Sequence, residues 1–266
     1  SRRTAADGPS NDPDRWSCWS VGGAAIASGH LWIGALSDCA VSGGPTDQQL
    51  QRSGSFDGPS AAVRLDLTCG SLTVATSTGA NWALDAAYRG PAPIVDSSSS
   101  RLDLRVSGGG SARRNDWTIS LPSAVGVLSI TANAATATLQ FPDGHVASLD
   151  VDMNAGDLRI DATHGAVDVV DLSMNAGRIR LDAGSSVLGG DVSVNAGAFD
   201  LCVPDGVGLR LEVTNQLTFV HNLAARGLSR SGDTWTRPAA AGAPIVTLSI
   251  DGGAASFSLN PVGGCR

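Results

Sequence analysis

The stretch that decides the fold is VDMNAGDLRIDA, residues 151–162, because two close copies of it follow, LSMNAGRIRLDA at 172–183 and VSVNAGAFDLCV at 192–203. The Asn residues at 133, 154, 175 and 195 are spaced 21, 21 and 20 residues apart, and each is followed by Ala. A fixed period of this length is typical of proteins in which one structural unit stacks on the next.

Within each copy, apolar and polar residues alternate on both sides of the Asn. In the stretch 151–162, Met153 precedes Asn154, while Leu158 and Ile160 follow it with Arg159 between them. Alternation with a period of two is the pattern of a strand that buries one face. Each copy is therefore predicted to be a strand, a corner at the Asn, and a second strand.

A single copy cannot be stable alone, because it exposes an apolar row and unpaired backbone groups, whereas stacking satisfies both. Stacked Asn side chains can hydrogen-bond along the stack, and Asn and Gly both suit a tight corner. The predicted Asn ladder is Asn133, Asn154, Asn175 and Asn195. An antiparallel meander with NAG hairpin loops is the alternative, but the regular period favours the stack.

The composition independently indicates an all-β protein. All 18 basic residues are Arg, and 24 of the 25 acidic residues are Asp, so the Glu and Lys that commonly cover helix surfaces are nearly missing. The fold class predicted is an all-β parallel solenoid with rungs of about 20–21 residues and an N-terminal arm. The net charge of −7 argues against a nucleic-acid partner.

The chain is predicted to divide at residues 54 and 260. Residues 1–54 form an arm with an apolar strand segment, residues 55–260 form the solenoid, and residues 261–266 form a tail. The apolar stretch at 21–36 is too short and too rich in Gly for a membrane-spanning helix. A buried strand is the favoured interpretation, and a strand donated to an interface is the alternative. The candidate interface residues are Ile26, Leu31, Trp32, Ile33 and Leu36.

Five cysteines cannot all pair within one chain. Cys18 and Cys39 are the predicted disulfide, which leaves Cys69, Cys202 and Cys265 unassigned. No metal-binding spacing of Cys and His occurs, and persistent disulfides belong to oxidising compartments. Because the chain also begins at Ser1 without Met, we expect an exported protein that lies outside the cell or at its surface.

No motif in the sequence specifies a reaction, a cofactor or a metal site. The carboxylates of Asp150 with Asp152, and of Asp161 with Asp182, could lie close together, but outward Asp residues are also what a solvated strand face requires. The Asp residues in DGPSNDPD, 7–14, lack the spacing of a calcium loop. A non-catalytic protein without cofactor or metal is therefore expected.

Three further stretches carry a resemblance to a known family: RRNDWTISLP at 113–122, VPDGVGLRLEV at 203–213 and SGDTWTRPAAAGAPIVTLSIDGG at 231–253. Together with the repeats they resemble the toastrack domain, a β-solenoid family of LiaF-like and related adhesin-like bacterial envelope proteins. The resemblance implies an extracytoplasmic, non-catalytic module, often attached to a membrane segment and associated with envelope-stress regulation or protein assembly. Residues 1–54 do not belong to the usual domain.

Two functional hypotheses follow. The first is a secreted structural protein that self-associates at the cell surface as a homo-oligomer, filament or surface layer, using the N-terminal arm and the open edges of the solenoid. The second is an extracytoplasmic module for envelope-stress sensing that regulates a membrane partner, so that any link to the membrane runs through that partner. Carbohydrate binding is a weaker third hypothesis, since the chain has only six Trp and one Tyr.

Overall fold

The computed structural model describes residues 47–107, 114–186, 188–214, 220–262 and 264–265. Nearly all of this part of the chain is β-strand, with one 3-10 turn at Ala224–Arg226. The strands in chain order are β1 (Gln48–Ser55), β2 (Ala62–Ser77), β3 (Asn81–Tyr88), β4 (Ile94–Ser98), β5 (Arg101–Arg105), β6 (Asn115–Pro122), β7 (Ala124–Gln140), β8 (His145–Ala162), β9 (Ala166–Ala183), β10 (Leu188–Cys202), β11 (Gly208–Thr214), β12 (Val220–His221), β13 (Ser229–Ser231), β14 (Thr234–Arg237) and β15 (Ile245–Leu259).

Six long strands form a parallel, in-register rack in the order β2, β7, β8, β9, β10 and β15. Each strand continues through the corner, so that Val151 lies beside Leu172 before it and Leu158 lies beside Ile179 after it. The predicted parallel solenoid is confirmed. The antiparallel alternative is wrong, because the residues on the two sides of a corner pair with the next copy rather than with each other.

The core of the rack consists of apolar columns that run from rung to rung. One column before the corner contains Ile130, Val151, Leu172, Val192 and Ile250, and all five side chains are buried. Stacking like residues at about 4.8 Å removes each apolar side chain from water and pairs its backbone at the same time. At the end of the rack the rings of Phe199 and Phe257 stack with their centroids 5.2 Å apart.

The glycine of the NAG corner is required by the close approach of neighbouring rungs. Gly156, Gly177 and Gly197 have φ angles of 143°, 139° and 134°, which side-chain-bearing residues rarely adopt. A Cβ added at Gly177 would lie 1.9 Å from the carbonyl oxygen of Gly156. The repeated Gly therefore lets two backbones come within hydrogen-bonding distance while the chain turns.

The Asn residues of the corner form a continuous chain of side-chain amides. Nδ2 of Asn175 donates to Oδ1 of Asn154 at 2.7 Å, and Nδ2 of Asn195 donates to Oδ1 of Asn175 at 2.8 Å. The bond from Asn154 to Asn133 is longer, at 3.4 Å. Each internal amide thus donates to one rung and accepts from the other, which links the corners of four rungs.

The N-terminal end of the rack is covered by shorter strands. The outer edge of β2 pairs with β5 along its first half and with β6 along its second half. Antiparallel strands then follow, with β4 on β5, β3 on β6 and β1 on β3. Strand β1 starts at Gln48, ahead of the predicted domain start at residue 55, because its backbone completes the sheet along all of β3.

The C-terminal end is covered in a similar way. Strands β11 and β12 pair in parallel with the two halves of β15, after which β14 and β13 add antiparallel strands. Such caps end the regular stacking surface, which repeat proteins need for solubility. LSIDGGAASFSL at 248–259 is a full rung, as the sequence predicts, and Leu211–Thr214, the start of LEVTNQLTFV, lie in strand β11 beside it.

Two Asn side chains replace missing backbone partners at this end. The amide of Asn260 donates to the carbonyl oxygen of Val203 at 3.1 Å and accepts from its N–H at 2.9 Å. The amide of Asn222 makes the same pair of bonds with Leu259, at 3.0 and 2.8 Å. Each amide therefore continues the strand pairing where the neighbouring strand has ended.

The predicted pair Cys18–Cys39, the candidate interface residues Ile26, Leu31, Trp32, Ile33 and Leu36, and the Asp residues of 7–14 lie outside the described residues.

Replacing Asn175 by Ala should lower the free energy of unfolding by about 1–3 kcal/mol, because two short side-chain hydrogen bonds are lost. Asn133→Ala is the matched control. It removes only one long bond at the end of the ladder and should change stability by less than about 0.5 kcal/mol. Urea unfolding of both variants measures the difference, and equal losses would show that the ladder contributes nothing of its own.

Gly177→Ala should destabilise the fold by at least about 3 kcal/mol, because the added methyl group combines a left-handed backbone with a clash against a neighbouring rung. At Gly58 a Cβ would meet nothing within 4 Å, so Gly58→Ala should shift stability by less than about 1 kcal/mol. Thermal unfolding compares the two. A mild effect at residue 177 would contradict the close approach of the rungs.

Candidate functional site: the two outer faces of the rack

The outward side chains of the rack form two faces, one on each side of the Asn ladder. The face formed by the strand halves before the corner carries an acidic patch, which consists of Asp150, Asp152, Asp171 and Asp191. All four side chains are exposed. Among the described residues, none of the four forms an ion pair with an Arg or a His. Within the described part of the chain, ion pairs therefore do not balance the negative charge of this patch.

The parallel register is the cause of this concentration of charge. Asp171 pairs with Asp150 on one side and with Asp191 on the other, so three carboxylates stand in a row at about one strand spacing. Partial burial raises the pKa of the Asp171 carboxyl above its ordinary value, and the charges of Asp150, Asp191 and Asp152 raise it further. Like charges directly opposite each other on neighbouring strands are destabilising.

The face after the corner is different, because its charges are paired. Arg180 places its Nε 3.1 and 3.2 Å from the two carboxylate oxygens of Asp182, and Arg159 lies 3.7 Å from the same carboxylate. Arg178 lies 3.9 Å from Asp200. Burial raises the pKa of Asp200, while Arg178 and Arg180 oppose that shift. The ion pairs thus run diagonally between rungs or along one strand.

Of the two carboxylate pairs suggested by the sequence, Asp150 and Asp152 belong to the acidic patch, whereas Asp161 and Asp182 bond to neighbouring side chains. Asp161 and Asp182 lie beside each other in the register. Asp161 accepts hydrogen bonds from the N–H and hydroxyl of Thr163. Burial tends to raise the pKa of Asp161, but the Thr163 bonds and the charges of Arg159 and His164 lower it overall. A carboxyl held ionised in this way is poorly suited to act as a general acid.

One open cavity of about 510 Å³ lies away from these carboxylates, on the outer side of β1, β3 and β6. Its lining is Gln51, Arg52, Ser53, Ala83, Leu84, Asp85, Thr118 and Ser120. Asp85 is the only carboxylate in this lining, and Gln51 donates a hydrogen bond to it at 3.3 Å. The lining offers hydroxyl and amide groups but neither a nucleophile with a base nor a set of metal ligands.

The histidines in the described part of the chain have structural surroundings. Nε2 of His145 lies within hydrogen-bonding distance of a carboxylate oxygen of Asp168, at 2.9 Å, and both side chains are exposed. His221 packs edge-on against the ring of Trp235, and Arg230 lies over that ring. Burial lowers the pKa of His221, and the positive charge of Arg230 lowers it further.

One group of potential metal ligands occurs among the described residues, namely Asp182, Cys202 and Cys265. The two cysteines are joined in a disulfide, so their sulfurs are not thiolates. This bond connects two of the cysteines that the sequence leaves unassigned. Because persistent disulfides form in oxidising compartments, the bond favours an extracytoplasmic location. Aligning the repeats also places Asp150, Asp171 and Asp191 at one outward position, so the row of acidic residues could be predicted from the sequence.

Asp171→Asn should stabilise the protein at pH 7 by up to about 1 kcal/mol in low salt. The folded-state pKa of Asp171 is raised, so this carboxyl favours folding at low pH and that contribution is lost as the pH rises through the folded pKa. The gain of the variant should therefore disappear in acid and shrink at high salt. Urea unfolding across pH measures it, with Asp143→Asn on an exposed turn as the control.

Comparison with known proteins identifies the family. A family model described as the N-terminal domain of toast_rack, DUF2154, matches residues 46–182, which is more than half of the chain. A search of curated proteins finds no match. In the part of the chain that the structure describes, no helix combines the length and apolar character needed to cross a membrane.

One of the similar solved structures shares the fold. A protein from Clostridium sporogenes, provisionally named a cell adhesion protein, is 10% identical over 80% of this chain and 99% of its own, with a TM-score of 0.50. A provisionally named adhesin from Bacteroides fragilis is 12% identical over 81% of this chain and 99% of its own, with a TM-score of 0.34. The chain belongs to the toast_rack family, and its N-terminal toast_rack domain includes the first NAG rungs.

Proposed function

We propose that this protein is an exported, non-catalytic structural protein of the cell surface that self-associates into an oligomer or polymer. The observation that carries the proposal is the form of the rack. It presents two broad outer faces, a covalently closed C-terminal end, and an edge strand at the N-terminal end. These are features of a protein that acts through its surfaces.

The disulfide and the fold support the surface location. Cys202–Cys265 suits an oxidising compartment. The Clostridium sporogenes protein that shares the fold is provisionally named for cell adhesion, which is a surface function. Similarity of fold alone does not establish a function, so the proposed assembly is based on the edges of the sheet.

Strand β1 is the edge that we propose for assembly. It is eight residues long and mainly exposed, and in the described part of the chain it pairs on one side only, with β3. An open edge can accept a further strand through its backbone groups. The apolar segment with Ile26, Leu31, Trp32, Ile33 and Leu36 is the strand that a neighbouring copy would donate. Such head-to-tail contacts generate polymers when the rotation does not close.

The caps restrict how the assembly grows. Because both ends of the rack finish in antiparallel strands, one parallel rack cannot simply continue into the next. Growth through a donated strand avoids this restriction, since it requires no contact between the ends of two racks. The proposal therefore predicts assembly that depends on the N-terminal segment rather than on end-to-end stacking.

The test replaces Leu31 and Ile33 together by Ser in the full chain. We expect wild-type protein to form regular oligomers or polymers, and the double variant to be a folded monomer with an unchanged far-UV circular dichroism spectrum. Size-exclusion chromatography with light scattering and negative-stain electron microscopy measure the difference. Ser28→Ala, in the same segment, is the control and should assemble normally.

A second candidate, regulation of a membrane partner in envelope stress, is favoured by the acidic patch, whose charge is unmatched within the rack. A positively charged surface on the partner would complement it. This candidate predicts that wild-type protein is a monodisperse monomer or dimer. Wild-type protein that fails to assemble, or a Leu31 and Ile33 double variant that still assembles, would contradict the first proposal.

A further inference from the structure

The C-terminal tail is closed onto the rack by what we call the latch, which consists of the Cys202–Cys265 disulfide and the amide of Asn260. Cys202 is the last residue of β10 and is buried, whereas Cys265 is exposed. Asn260 makes its two hydrogen bonds to Val203, the residue next to Cys202. The backbone N–H of Asn260 also donates to the carbonyl oxygen of Leu201 at 2.9 Å. The disulfide therefore secures a tail that is otherwise held at Asn260.

A buried carboxylate lies directly beside this disulfide. Asp182 is the neighbour of Cys202 in the parallel register of β9 and β10. A carboxylate oxygen of Asp182 and the two sulfurs all lie within 4.8 Å of one another. The Asp182 side chain is only 5% exposed, so water screens its charge less than that of a surface carboxylate. Its position is fixed by the Nε of Arg180.

We propose that Asp182 protects the Cys202–Cys265 disulfide against attack by external thiols. In this exchange a thiolate forms a bond to one cysteine sulfur, the S–S bond breaks, and the other cysteine leaves as a thiolate. A second thiol then releases the first as a disulfide, so two thiols are oxidised, two cysteines are reduced, and two protons pass to the cysteines. Both the attacking and the departing group are anions.

A negative charge at this distance opposes both events. It repels the incoming thiolate, and it destabilises the thiolate that must leave, which slows exchange because the better leaving group is the thiol of lower pKa. Coulomb repulsion between unit charges about 5 Å apart corresponds to several-fold in rate even with the screening of water. The effect is larger where the site is partly dry.

The other charges around the latch determine how the exchange rates should change when Asp182 is substituted. Arg159 and Arg180 contact Asp182, Asp161 is its neighbour on β8, and Asp200 lies on β10 with Arg178 nearby. In the wild-type protein the two Arg side chains fix the orientation of this carboxylate. Removing the charge of Asp182 alone leaves both Arg charges without this partner, so the latch becomes more attractive to anions.

This inference goes beyond the proposed assembly and does not depend on it. Asp182 would determine the lifetime of the Cys202–Cys265 disulfide in the presence of external thiols. The latch is expected to survive exposure that would open an unprotected disulfide near the surface.

The experiment uses the oxidised full chain and three thiols at equal thiolate concentration: cysteamine, 2-mercaptoethanol and 3-mercaptopropionate. Alkylation and peptide mass spectrometry follow the release of Cys202 and Cys265. Each rate is divided by the rate of the same thiol with 2-hydroxyethyl disulfide, because thiolates of higher pKa are intrinsically more nucleophilic. On this scale we expect the wild-type protein to react fastest with cationic cysteamine and slowest with anionic mercaptopropionate. In Asp182→Asn the ratio of the cysteamine rate to the mercaptopropionate rate should fall by about three- to tenfold, and reaction with 2-mercaptoethanol should accelerate.

Two variants serve as controls. Asp182→Glu keeps the charge and should keep the ratio, and Asp161→Asn removes a charge one rung farther from the sulfurs and should leave it almost unchanged. A variant that only loosens the structure would accelerate all three thiols equally, and that outcome would overturn the proposal. A wild-type protein that does not distinguish cysteamine from mercaptopropionate would overturn it as well, even if Asp182→Asn cannot be folded.

Discussion

The rest of the structure depends on the close, in-register approach of neighbouring backbones at the NAG corner. A turn that keeps parallel pairing on both sides must place one residue in a left-handed conformation against the next rung, where there is no room for a Cβ. Because Gly177 meets this requirement, the side chain of Asn175 lies within hydrogen-bonding distance of Asn154 and Asn195 on the neighbouring rungs. The apolar columns and the amide ladder are then consequences of the same register.

That register also explains why the two outer faces differ. Residues at equivalent positions stand beside each other, so a repeated Asp becomes a row of like charges, as at Asp150, Asp171 and Asp191. On the other face the sequence places Arg and Asp at different positions in successive rungs, and diagonal ion pairs result. In a stacked repeat a charge at an outward position is therefore repeated along the whole face, and on one face the described residues form no ion pair that balances it.

Much of this could be predicted from the sequence because the determining features are local and periodic. The spacing of Asn133, Asn154 and Asn175, together with the alternation around them, was sufficient to predict parallel rungs. The caps were harder to predict, since β3 and β14 pair antiparallel and follow no period. The Cys202–Cys265 bond depends on where the tail ends in space, and nothing in the spacing of the cysteines indicates it.

The acidic patch is a different case. Asp150, Asp171 and Asp191 stand at the same position when the repeats are aligned, so this row follows from the sequence once outward positions are compared as well. The amides of Asn222 and Asn260 could not be found in this way, because their roles depend on the places where β10 and β15 lose a backbone partner. Side chains that replace backbone pairing are recognisable only when the ends of the strands are known.

The measurement that tests the central claim most directly is the backbone pairing around the corner in solution, obtained from interstrand nuclear Overhauser effects in isotope-labelled protein. Parallel rungs predict contacts between the backbones of Val151 and Leu172 and of Leu158 and Ile179, each 21 residues apart. Contacts between Met153 and Asp157 across Asn154–Gly156, without those between rungs, would indicate hairpins and would contradict the parallel rack.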